Sequence, residues 1–172
     1  MRYGTDSIKI LFATLLCYTS LSLYTEDTPW AFIQSVNLIF HEAGHVLFFM
    51  FGQFLSVCGG TLSEFGVPLI VTLSFAWKRD VYGTGFGLWW LSTAFWSISI
   101  YARDARTQLL PLLGGESSNH DWTYILGELG LLHHEQFVAN IFLTLSICTF
   151  FASIPLLFGT LKKYMPNKEL GE

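Results

Sequence analysis

The sequence predicts an all-α, polytopic helical membrane bundle with about four full spans and one short re-entrant or tilted segment. Its 172 residues are 52% hydrophobic and 13% charged, with a mean hydropathy of +0.46, far from the balance of soluble domains. Apolar runs suited to a hydrocarbon layer about 30 Å thick recur at residues 8–24, 30–57, 82–101 and 137–161. The chain has room for one domain, 1–172.

The first run has Arg2 before it and Lys9 at its start and lacks a small-x-small cleavage site, so it is expected to be a retained span rather than a secretory leader. Thr25-Glu26-Asp27-Thr28-Pro29 then leads to Trp30, an aromatic suited to the membrane boundary, which predicts a tight antiparallel hairpin of the first two helices. In 30–57, Gln34, Asn37, His41, His45 and Gly52 fall at helical intervals on one face, and most other positions are apolar. Cys58-Gly59-Gly60-Thr61 is expected to break this helix. Residues 65–77 then form a thirteen-residue apolar segment, interrupted by Gly66 and Pro68 and marginal for crossing.

Charge favours entry and exit of 65–77 on one side. Arg2, Lys9, Lys78, Arg79, Lys162, Lys163 and Lys168 then share a face and only Arg103 and Arg106 oppose them, as cytoplasmic enrichment in Lys and Arg requires. Both termini are therefore expected in the cytoplasm, and the protein in the plasma (inner) membrane.

The third span, 82–101, is dense in Gly and Trp, which suits close helix packing and boundary anchoring. The connection 102–136 is long enough to be functional and holds Asp104, Leu109 to Gly115, the polar stretch Glu116 to Asn119, His120, Asp121 and a short helix ending near His133 and His134. The last span, 137–161, contains Pro155, expected to kink it.

A net charge of −4 without a Lys/Arg block argues against nucleic acid as a partner. Cys17, Cys58 and Cys148 lack C-x-x-C spacing, which argues against a disulfide framework or a thiolate zinc site.

The chemistry concentrates in His41-Glu42-Ala43-Gly44-His45. His41 lies eleven residues past Trp30, about 16 Å into the apolar layer, where ionisable groups are costly and occur facing a cavity, a partner or a metal. Histidines four apart project from one helical face, so both imidazoles can reach a single Zn²⁺. Glu42 is then placed beside the ion, to take a proton from an attacking water and return it to a leaving amine.

His41 to His45 within an apolar helix resembles the intramembrane zinc metalloproteases of the site-two protease family. The resemblance implies a peptide bond of a membrane protein or peptide as substrate, and a third ligand supplied by an aspartate in a later N-x-x-P-x-x-x-L-D-G segment. Leu109-Leu110-Pro111-Leu112-Leu113-Gly114-Gly115 is similar in part to that segment, but no Asp precedes Gly114. His120 and Asp121 are the favoured substitutes, with Asp104 at the end of the third span as the other candidate. Only one of the adjacent pair is expected to coordinate, and its neighbour to support it or cap a helix. Asp104 is otherwise expected to pair with Arg103 or Arg106, and His133, His134 and Glu135 to be boundary residues. The Cys58 to Thr61 turn with 65–77 offers an edge for an extended substrate strand. The missing L-D-G aspartate also motivates an alternative, a non-proteolytic zinc-binding scaffold or regulatory subunit with a membrane partner. A haem reading is weaker, since both histidines lie on one helix.

Overall fold

The computed structural model describes residues 2–25, 31–110 and 120–162, with no strand among them. The helices are α1 (Arg2–Thr25), α2 (Phe32–Phe48), α3 (Gln53–Trp77), α4 (Val81–Arg103), the short α5 (Asp121–Glu128) and α6 (Glu135–Lys162). Short 3-10 turns occupy Phe49–Phe51 and Leu132–His134. Among the described residues, three stretches are long and apolar enough to cross a membrane: Ser7–Thr25, Gln53–Trp77 and Leu132–Gly159. Residues 26–30, Pro111 to Asn119, Lys163 and Lys168 lie outside the described residues.

α4 organises the bundle because it offers small residues on several faces. α3 and α6 pack against it in the opposite sense: Thr72 abuts Gly87 and Leu157 abuts Gly85 near its start, while Ser146 Oγ donates to Ser92 O (2.6 Å) further along. α1 runs alongside α4 in the same sense, with Tyr82 donating to Lys9 O at 3.0 Å and Trp89 Nε1 to Leu16 O at 2.9 Å and Ser20 Oγ at 2.8 Å. α2 also follows that sense. Trp90 Nε1 donates to Asn37 Oδ1 (2.9 Å), Asn37 Nδ2 donates to Thr93 Oγ1 (3.3 Å), and the His41 ring lies 5.8 Å from that of Tyr101.

The expected α1–α2 hairpin is therefore corrected. α1 spends its apolar face, Ala13 and Leu16, on Trp89, Phe150 and Leu157 of α4 and α6. A second cluster, Ile98, Ala102, Trp122, Ile125, Leu126 and Ala139, seals the other end and fixes α5 across α4 and α6.

The helix boundaries after α2 also differ from expectation. The chain turns at Gly52, whose φ of +95° favours glycine, so the helix expected over 30–57 ends at Phe48. Cys58 to Thr61 lies inside α3. Its glycines are there for close approach: a Cβ on Gly44 would stand 2.1 Å from Gly59 O. Residues 65–77 are thus the second half of a 25-residue helix rather than a separate segment, and Pro68 and Pro155 both sit within continuous helices. With no strand at Cys58 to Thr61, the expected substrate-pairing edge is absent there.

The basic residues nonetheless sort by end. Lys9, Lys78 and Arg79 gather where α1 and α4 begin and α3 ends, and Arg103 and Arg106 lie at the opposite end. This happens because α1 and α2 run the same way while α3 makes a full return.

Candidate metal centre

The α2–α3 contact builds the site. Its close approach at Gly44 and Gly59 lets side chains of both helices meet across it, and the helical repeat stacks His41 and His45 with ring centroids 4.9 Å apart. His41 Nδ1–H donates to Glu64 Oε2 of α3 at 3.0 Å, with both side chains buried. His45 Nδ1–H donates to Ser56 O at 3.0 Å, and Ser56 Oγ returns a bond to His45 O at 3.1 Å.

With both Nδ1 positions engaged, both Nε2 atoms converge on one carboxylate oxygen. Asp121 Oδ2 lies 2.8 Å from His41 Nε2 and 3.2 Å from His45 Nε2. The donor atoms of His41, His45 and Asp121 all lie within 4.8 Å of one another, close enough to share an ion. No Lys or Arg pairs with them among the described residues, and three electron-pair donors meeting in a half-dry pocket call for a cation or protons between them.

A second observation supports the fit. A Cβ built on Gly60 would stand 2.7 Å from both His41 Nε2 and His45 Nε2. Gly60 therefore leaves open the space onto which the imidazole nitrogens face.

α5 carries Asp121 at its first position, and Tyr101 of α4 receives it: the Asp121 backbone N–H donates to Tyr101 Oη at 3.1 Å. Burial works against the Asp121 carboxylate, but hydrogen bonds and charge from His41 and His45 prevail and hold it down at about 2. In this arrangement Asp121 is an anion paired with the two imidazoles.

Of the expected site residues, His41, His45 and Asp121 come together. His120 does not join them: its Nε2–H donates to Asp104 Oδ2 at 3.3 Å, away from the cluster. Asp104 is likewise structural. It accepts from Thr107 Oγ1, Leu109 N (3.0 Å) and Leu110 N (2.9 Å), closing the chain after α4. Burial opposes its ionisation, yet these bonds and His120 hold it below the usual carboxylate range. Its expected arginine partners are engaged elsewhere, Arg103 on Asn140 (2.9 Å) and Arg106 on the buried Glu135.

His133 and His134 are exposed. Glu42 is exposed, next to His41 in the chain, and makes no hydrogen bond among the described residues.

Glu64, Ser56 and Tyr101 were not singled out from the sequence, and Gly60 was read only as part of a helix break. Glu64 carried a readable signal, being the one Asp, Glu, Lys or Arg between Glu42 and Lys78. Glu64→Gln keeps the side-chain shape but removes the charge behind His41. It is expected to weaken divalent-ion affinity by about 10- to 100-fold with helical content unchanged, as chelator competition and circular dichroism would report.

Compared with protein-family models, characterised proteins and solved structures, the chain matches none.

Proposed function

We propose that the protein is an intramembrane zinc-dependent endopeptidase that hydrolyses a peptide bond of a membrane protein or peptide within or next to the bilayer. The observation that carries this is the convergence of His41 Nε2, His45 Nε2 and Asp121 Oδ2, with each imidazole braced through its other nitrogen. Two imidazoles and one carboxylate are a donor set typical of catalytic Zn²⁺ with room for a further ligand. The bracing by Glu64 and Ser56 is of the kind that orients such ligands. Zn²⁺ in that place supplies Lewis-acid activation of water and of a carbonyl.

The chain's own residues do the rest. His41, His45 and Asp121 hold the ion, and Glu42, the exposed neighbour of His41 on α2, takes the proton from the attacking water and delivers it to the departing amine. α5 and Tyr101 close one side of the site. The His41-Glu42-Ala43-Gly44-His45 resemblance to the site-two protease family supports the same reading, with Asp121 in the place of that family's aspartate. In this reading the bundle makes about four passes through the plasma (inner) membrane, with both termini cytoplasmic and the metal centre toward the Arg103 end.

The test compares membranes from cells making the wild-type protein with membranes from cells making Glu42→Gln, scoring newly formed peptide termini after both proteins are assayed for zinc. Equal zinc with cleavage reduced by about 100- to 10,000-fold is expected. Equal termini in the two samples would leave a zinc-holding scaffold instead.

A further inference from the structure

Resting on the reading of His41, His45 and Asp121 as an ion's donors, we propose that Tyr101 is the positioning residue of the third donor, holding Asp121 over the two imidazoles from the end of α4. Asp121 is the one donor that α2 does not carry, so its place depends on how α5 is fixed. α5 has eight residues, too few for a helix to persist by itself, and the first amides of any helix lack internal acceptors. The usual remedy is missing: His120 occupies the cap position and its side chain makes no capping bond.

Tyr101 takes over that task from another helix. Its hydroxyl oxygen accepts the Asp121 N–H at 3.1 Å. The phenol ring is itself confined, with centroids 5.8 Å from His41 and 4.4 Å from His120. His120 is in turn tied to Asp104, which the Leu109 and Leu110 amides fasten to the end of α4. The chain Asp104, His120, Tyr101, Asp121 thus converts the rigid end of α4 into a fixed start for α5. A donor set must be held within about 0.5 Å to bind well, and this frame supplies that precision for the carboxylate.

Tyr101→Phe keeps the ring packing and removes only the acceptor. Two measurements on the full chain in lipid nanodiscs test it. In metal-free protein, amide exchange over residues 120–128 is expected to quicken by about 10-fold while α4 and α6 keep their protection. With Co²⁺ as the probe ion, the visible bands of the variant are expected to move toward those of Asp121→Ala, and Co²⁺ affinity to fall by about 10- to 100-fold.

Unchanged exchange and an unchanged spectrum would overturn the proposal. Exchange that quickens equally in every helix would overturn it too, by showing general loosening instead. If the wild type takes up no Co²⁺, the reading of the cluster as an ion centre fails separately, and the exchange over 120–128 alone decides whether Tyr101 anchors Asp121.

Discussion

Gly60→Ala is expected to abolish divalent-ion binding while the bundle stays folded. The added methyl would lie 2.7 Å from the Nε2 atoms of both His41 and His45 and 2.8 Å from His45 Cε1, where real contacts do not occur. Neither ring can yield cheaply, because Glu64 holds one and Ser56 the other through Nδ1. The rings must rotate off their shared target or α3 must retreat, and either separates the donors. Gly66→Ala is the matched control, on the same helix with nothing within 4 Å of its new Cβ. Both changes raise helix propensity by about 1 kcal/mol, so any difference between them reports the site. Ion titration should show an affinity loss of about 100-fold or more for Gly60→Ala and none for Gly66→Ala. Retention of stoichiometric metal by Gly60→Ala would mean that the imidazoles do not share an ion there.

Gly44→Ala should damage the fold and the site together. Its Cβ would stand 2.1 Å from Gly59 O and 2.6 Å from Gly59 C, and backbone atoms within a helix have no rotamer through which to move aside. Ordinary contact begins at 3.4 Å, so α2 and α3 must part by more than 1 Å. In an apolar solvent close backbone approach is what holds helices together, so the separation forfeits packing along the pair. Overpacking of this kind costs about 1–3 kcal/mol, and the upper end is expected because both clashing groups are main chain. For a chain of this size about 3 kcal/mol lowers the melting midpoint by about 6–12 °C. The bonds from His41 to Glu64 and from His45 to Ser56 cross the same contact, so ion affinity should fall with it. A melting midpoint equal to that of Gly66→Ala would contradict the tight α2–α3 contact.

Much of the site was legible because helical periodicity is a strong constraint. The four-residue spacing of His41 and His45 put both rings on one face without any structure, and ionisable groups in an apolar run are informative by their cost alone. The same reasoning applied to Glu64 would have found the partner of His41, but the neighbouring Gly59 and Gly60 suggested a break there. Glycine serves two purposes that look identical in one dimension. At Gly52 it permits a positive φ, and at Gly44, Gly59 and Gly60 it permits contact. Asp121 and His120 could not be separated from sequence, since one residue of register decides which faces the histidines, and that register is set by Tyr101 and the α4 terminus. Helix order failed for a similar reason. A short acidic connection after α1 implies an adjacent antiparallel partner, whereas Trp89, with its two hydrogen bonds to Leu16 and Ser20, claims α1 for α4.

Among the described residues the donors and their braces come from α2 to α5, while α1 bonds to Tyr82, Trp89 and Ser146. Donors and packing are therefore divided along the chain, and substitutions on the side of α1 away from Trp89 and Phe150 leave the contacts among His41, His45 and Asp121 untouched.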